Sequence, residues 1–197
     1  MGFGWEGKLV RLVPIDLERH LGNAYRWIND PGSTENTGLG DFPLTRMTER
    51  DWLESASKNS DQEVSFAVEL LSGEHIGLTG LRAINWKDRS AITGTMIDKE
   101  YWGKGYGADA ARVRSHYAFE VLGLRYLTSE VQEGNEGSLR MLKKVGYAEC
   151  GRYPQRLWKR GKFVDEILLY MTREMWERAK TYEQTSSSDG SYLAVFG

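Results

Sequence analysis

The chain has 197 residues, with 40% hydrophobic and 27% charged side chains and a formal net charge of −2. That length suits one domain with a sizeable core, and a charge this close to neutral gives no electrostatic case for nucleic acid. No apolar run approaches a membrane span, no signal-peptide pattern opens the chain, the single Cys150 excludes an internal disulfide, and three scattered histidines fit no zinc spacing.

The default that follows is a cytoplasmic protein with no metal and no membrane partner. In chain order, residues 8–14 read as a first strand stopped by Pro14. Asp16 is a plausible N-cap for a helix to about Asn29, with Leu17, Leu21, Ala24, Tyr25 and Ile28 on one face. A glycine-rich loop covers 31–43, and Thr48 with Asp51 resembles a capping box opening a helix to about Ser57. Three strand signals follow at 64–71, 75–84 and 90–97, separated by breaks short enough to imply an antiparallel meander. Next come Tyr101-Trp-Gly-Lys-Gly-Tyr-Gly-Ala108, a helix-compatible run over 108–121 and a strand over 125–131. A short helix after Asn135, strands over 147–158 and 163–171, and a helix over 173–182 complete the domain, 1–182. Residues 183–197 read as a polar tail with an apolar end. The order predicts a mixed α/β (α+β) domain whose sheet is mostly antiparallel, with one parallel pairing inside a central βαβ unit.

Charge is unevenly spread. Residues 30–75 carry ten acids against three bases, and residues 138–180 carry eleven bases against five acids. Solvated helix faces and turns account for such runs, and so does an acidic side that attracts a cationic substrate opposite a basic side that meets phosphates.

The glycine cluster is the chief chemical signal. Glycines that open a helix leave bare N–H groups aimed at one point, where the helix dipole also favours an anion. Gly103-Lys104-Gly105-Tyr106-Gly107-Ala108 satisfies G-x-G-x-x-G/A, and Glu130 stands near the acidic position of a dinucleotide site. Two features weigh against that reading: five residues separate the preceding strand from Gly103, and the chain holds one βαβ unit where a doubly wound sheet needs several.

Together with Asn135-x-x-Ser138 and Gly146-Tyr147, this cluster resembles the GNAT acetyltransferase superfamily. Its form is similar to the branch of ribosomal-protein N-terminal acetyltransferases and polyamine acetyltransferases. The resemblance spans roughly residues 8–176. It implies a sheet of about seven strands with helices on both faces, and a gap between the strands flanking the glycine helix where acetyl-CoA lies. It assigns the pantetheine to the backbone of Met96 and Ile97, and the pyrophosphate to Trp102, Gly103, Lys104, Gly105, Tyr106, Gly107 and Ala108. Gly105 and Gly107 present no Cβ to the phosphates. Asn135 and Ser138 would stand beside the thioester, with Asn135 also an N-cap, and Lys144 would meet the 3′-phosphate. Tyr147 is expected to pack in the core.

The resemblance also implies the activity, acetyl transfer to an amine, with a non-catalytic acyl-CoA-binding protein as the alternative. Many members place a tyrosine acid seven residues after the asparagine, and here that position is Leu142. Ser138 is therefore the candidate acid. Glutamates that serve as base in relatives are replaced by Ile92 and Cys150, which leaves Glu149, then Asp165, then water. The acceptor is expected to enter over residues 16–58 as a cationic amine or a protein N-terminus, and Trp27, Phe42 and Trp52 read either as core residues at helical spacing or as lining of that entrance. A homodimer is a further implication.

Overall fold

The computed structural model describes residues 5–35, 37 and 42–180. Its elements are β1 (Val10–Pro14), α1 (Leu17–Ile28), α2 (Pro31–Thr34), α3 (Arg46–Ser57), β2 (Val64–Leu70), β3 (His75–Asn85) and β4 (Ser90–Ile97). After a 3-10 turn (Lys99–Tyr101) come α4 (Tyr106–His116), which ends in a π turn, β5 (Tyr126–Gln132), α5 (Glu136–Val145), β6 (Ala148–Lys159) and β7 (Lys162–Thr172). A last helix, α6, covers 173–180. The tail expected over 183–197 lies outside the described residues.

The strands form one sheet in the order β1-β2-β3-β4-β5-β7-β6. Every pairing is antiparallel except β4 with β5. Strand alternation divides the core in two. Val10, Leu12, Phe66 and Val68 pack with Ala110, Val113, Phe119 and Leu142 on the α4–α5 face. Val13, Ala67 and Leu78 pack with Leu21, Ala24 and Leu53 on the α1–α3 face.

The sequence-derived boundaries shift in three informative places. Pro31–Thr34 folds as one helical turn capped by the Asp30 side chain, too short a unit for periodicity to reveal. The third helix is capped by Thr45, which accepts from the Thr48 amide, so the capping role assigned to Thr48 moves one turn back. On α1 the buried stripe runs through His20, Leu21, Ala24, Trp27 and Ile28, which places Trp27 in the interior and leaves Tyr25 only half-buried. Asp16 does cap that helix, accepting from the Arg19 amide at 3.0 Å.

A polar cluster lies between α1 and the sheet. Glu69 is fully buried and pairs with Arg11 at 2.9 Å, with Arg19, and with His20 Nε2 at 3.3 Å. His75 stacks on His20 and Trp27, and its Nε2 is 2.9 Å from the Gly77 carbonyl. Burial, with His20 beside it, lowers the His75 pKa from 6.5 to about 4. Above pH 6.5 neither folded nor unfolded His75 is charged. Between pH 6.5 and about 4 the unfolded chain takes up a proton that the folded chain refuses, so stability falls as pH falls. The loss reaches roughly 3 kcal/mol at the lower end of that window. Urea unfolding at pH 7 and pH 5 is expected to show a drop of about 2 kcal/mol. Exchange of His75 for Phe, which keeps the ring packing, should flatten that slope, and an undiminished slope would remove His75 from the account.

Candidate active site

The central fact of the site is where β4 and β5 stop pairing. Their parallel register is Ser90 with Tyr126, Ala91 with Leu127 and Ile92 with Thr128, and there it ends. Beyond it β4 continues to Ile97 and β5 to Gln132 without a ladder between them. Thr93 Oγ1 donates to the Thr128 carbonyl at 2.9 Å and closes the apex. The two strands therefore diverge over a cleft of about 540 Å³, bounded by β4, the glycine loop, the start of α4 and one face of α5.

The glycine loop is shaped by backbone sterics. Gly103 and Gly105 have φ of +76° and +90°, a region that costs other L-residues roughly 1–2 kcal/mol. Gly105 is the N-cap of α4 and makes no side-chain cap bond, so the first turn of that helix faces the cleft with its N–H groups uncapped by a side chain. Gly107 permits close approach of α4 and α5, since a Cβ there would stand 2.9 Å from Met141 Sδ.

Of the residues singled out in the sequence, Met96, Ile97, Trp102, Gly103, Gly105, Gly107, Ala108, Asn135, Ser138 and Lys144 all line this one cleft. Asn135 caps α5, its Oδ1 accepting from the Ser138 amide at 3.0 Å, and Ser138 is half-buried beside it. Lys104 and Tyr106 are not among the lining residues. Lys104 Nζ donates to the Glu100 carbonyl at 3.0 Å and lies over the Tyr101 ring, while Tyr106 packs edge-on to Tyr101 and against the core. The Ile97 carbonyl accepts from Trp102 Nε1 at 2.6 Å, so that backbone acceptor is already engaged.

Glu149 is also outside the cleft. It sits on β6, the outer edge of the sheet beyond β7, and its Oε1 accepts from Arg152 Nε at 3.0 Å. Two strand spacings, roughly 10 Å, separate β6 from β5. A bulge does interrupt β6 between Glu149 and Gly151, yet Cys150 is exposed there with its thiol turned to the Leu168 carbonyl. Asp165 has a bracing role, accepting from the Gln155 amide at 2.9 Å where β6 bulges again. Leu142 is buried in the core. Tyr147 is also buried, as expected, though its hydroxyl enters a polar network.

Several lining residues escaped the sequence reading. Ser33 and Thr37 reach the cleft from the α2 segment, and Thr95 from β4. Arg140 and Lys144, one helical turn apart on α5, give the cleft a basic wall, a spacing that was visible in the sequence. Glu136 is the one carboxylate among the described lining residues. Tyr101 also lines the cleft, but its hydroxyl donates to Glu74, and that bond, with burial and neighbouring acids, raises its pKa to about 12. Its proton is thus held by Glu74. Phe42 and Trp52, considered as lining, are exposed and away from this cleft, and Trp27 is interior with its Nε1 donating to Asp98 at 2.7 Å.

Three acids of the 30–75 stretch are neutralised by bases remote in sequence. Asp30 pairs with Lys99 at 2.8 Å, chiefly for which reason its pKa falls to about 2, and Glu35 pairs with Arg160 at 2.9 Å. Glu69 pairs with Arg11 and Arg19, and Glu49 is buried, which raises its pKa. Part of the excess is therefore structural pairing.

Comparison with known proteins agrees with this geometry. The acetyltransferase (GNAT) domain family matches residues 10–148. The chain is 31% identical over 173 residues to the Bacillus subtilis (strain 168) protein named ribosomal N-acetyltransferase YdaF, covering 88% of each. It is 32% identical over 109 residues to spermidine N(1)-acetyltransferase of Escherichia coli (strain K12), covering 55% of this chain and 58% of that one. In fold it is similar to the Vibrio cholerae spermidine N-acetyltransferase solved with CoA and spermine (TM-score 0.76, 22% identity, 85% of this chain and 97% of that one). No helix among the described residues is long and apolar enough to cross a membrane. The chain belongs to the GNAT acetyltransferase family and is an N-acetyltransferase that uses acetyl-CoA.

Proposed function

We propose that the β4–β5 cleft holds acetyl-CoA and that the acceptor is a primary amine arriving from the α1–α3 side. The observation that carries this is the loss of strand pairing after Ile92 and Thr128 directly beside the uncapped start of α4. The residues fit the group. The N–H groups of the α4 first turn suit a pyrophosphate, with Gly103 and Gly105 in conformations that keep side chains out of its way. Arg140 and Lys144 supply cations for the remaining phosphate, and the β4 edge from Thr95 to Met96 faces the space between the strands. Lys104, Tyr106 and the Ile97 carbonyl are spoken for by other contacts and act in shaping the loop.

Acetyl-CoA supplies an activated carbonyl carbon and a thiolate leaving group. Asn135 fixes the start of α5 through the Ser138 amide, and Ser138 is the candidate to give its hydroxyl proton to the departing sulfur. Glu149 is too far along the sheet to take the amine's proton, and water in the open cleft is the remaining acceptor. Ser33 and Thr37, whose hydroxyls donate to Asp30 at 2.7 Å and to the Thr34 carbonyl at 3.1 Å, act there as acceptors for an entering ammonium group, and Glu136 offers it a charge. Both a protein N-terminus and a small polyamine satisfy this chemistry, and the relatives' names span the two. The homodimer would use the free β6 edge and its exposed Trp158–Phe163 pair.

The test is calorimetric titration with CoA followed by CoA release from acetyl-CoA over a panel of polyamines and peptide N-termini. Exchange of Ser138 for Ala is expected to lower kcat about tenfold to a hundredfold, with CoA affinity changed less than about threefold. Full turnover in that variant would take Ser138 out of the mechanism, and failure to bind CoA would defeat the placement itself.

A further inference from the structure

Arg114, on α4, is 1% exposed, and among the described residues it makes no ion pair. A buried cation without an anion is strongly unfavourable. Its hydrogen bonds are all to neutral oxygens: Nη1 donates to Thr95 Oγ1 at 2.6 Å, to the Gly94 carbonyl at 3.0 Å and to Thr79 Oγ1 at 3.1 Å. Nη2 donates to the Tyr147 hydroxyl at 3.3 Å, and Nε has no partner. Those neutral partners cluster at the apex of the cleft. Thr93, which closes the apex, is 3.5 Å from the Tyr147 hydroxyl, and Thr95 lines the cleft itself.

The hydroxyl directions follow from this pattern. Thr79 Oγ1 donates to the Gly94 carbonyl at 2.9 Å, so its hydrogen is committed. Thr95 Oγ1 accepts from the guanidinium, which leaves its own hydrogen to be donated to Thr79 or into the cleft. A donor backed by a buried cation is a fixed positive pole, and such poles act most strongly where water is excluded.

We propose that Arg114 is a positioning residue which, through the Thr95 hydroxyl, stabilises the negative charge that gathers on the cofactor sulfur as it leaves. This rests on the placement of acetyl-CoA proposed above. In the transfer the amine lone pair forms the N–C bond, and the C–S bond breaks with its electron pair passing to sulfur. The surplus proton on nitrogen goes to water, and the sulfur is protonated afterwards. Leu142 stands where many members place a tyrosine, so proton delivery falls to the weaker acid Ser138 and sulfur carries charge until that proton arrives. The departing thiolate would give the buried guanidinium the counter-charge that it lacks among the described residues.

The test titrates the thiol of bound CoA by its thiolate absorbance, with unliganded protein titrated in parallel to subtract the exposed Cys150. In the native protein that thiol is expected to titrate about one pH unit below free CoA. Arg114→Lys should retain most of the shift, Arg114→Met should abolish it, and Thr95→Val, which keeps the shape and the buried cation, should at least halve it. In turnover, Arg114→Met should lower kcat about thirtyfold or more with KM for acetyl-CoA within about threefold. A native thiol that titrates like free CoA overturns the proposal, and so does a shift that survives both Arg114→Met and Thr95→Val. If Arg114→Met does not fold, Thr95→Val decides alone. Absence of CoA binding by the native protein would defeat the placement of the cofactor, a result distinct from binding with an unshifted thiol.

Discussion

Exchange of Asp109 for Ala is expected to lower stability by about 3 kcal/mol and Tm by about 10 °C. Asp109 is 5% exposed, in the first turn of α4, and its carboxylate accepts three backbone amides from the chain leading into β1. Leu9 N and Val10 N donate to Oδ2 at 2.7 and 3.0 Å, and Lys8 N donates to Oδ1 at 3.3 Å. Truncation leaves these donors without a partner, and a buried unsatisfied donor costs roughly 1–3 kcal/mol. Lys8 and Leu9 are exposed enough for water to rescue part of the loss, which sets the estimate at the low end of what three such donors would cost together. The carboxylate also complements the helix dipole, a smaller contribution. Gly7 belongs to the same arrangement, because a Cβ there would lie 2.4 Å from Asp109 Oδ2. Thermal unfolding by circular dichroism checks the expectation, and a Tm within about 2 °C of the native value would show that these bonds are replaced without cost.

The second large effect is functional. Exchange of Gly105 for Val is expected to raise KM for acetyl-CoA about tenfold to a hundredfold while kcat changes less than about threefold. Gly105 has φ +90° and ψ −9°, and a branched side chain cannot hold that conformation without strain of order 1–3 kcal/mol. Steric contact is not the cause, since an added Cβ would meet only Leu9 Cδ1 at 3.5 Å. The loop relieves the strain by turning the peptide units at the start of α4, and the bare N–H groups lose their common aim. Binding energy for the pyrophosphate falls while the apex, with Asn135, Ser138 and Thr95, keeps its geometry. Initial-rate kinetics with acetyl-CoA varied separates the two constants. An unchanged KM would mean that the α4 terminus does not hold the phosphates.

The two variants probe opposite ends of one helix turn, and each role was legible to a different degree. The glycines and the Asn135–Ser138 spacing stood out in the sequence because they are local: positive φ needs glycine, and a cap needs its donor three residues on. Asp109 gave no such signal, because its partners are about a hundred residues away. Glu149 looked close to the chemistry by its distance from Gly146, but the strand order β5-β7-β6 inserts a strand between β6 and the cleft. The acidic stretch 30–75 suggested a cationic substrate from charge alone, while Lys99, Arg160 and Arg11 neutralise three of its ten acids from elsewhere in the chain.

By itself, then, the sequence determined the alternation of strands and helices, the single parallel crossover and the glycine-rich turn at Gly103–Ala108. All of these follow from periodicity, capping and φ preferences over a few neighbouring residues. Only the tertiary structure decided where β4 and β5 part, which side chains face the gap, and that Arg114 lies buried beneath its apex among hydroxyls, with no counter-ion among the described residues. Those depend on cross-strand register and on contacts between residues far apart in the chain, and no local preference encodes them.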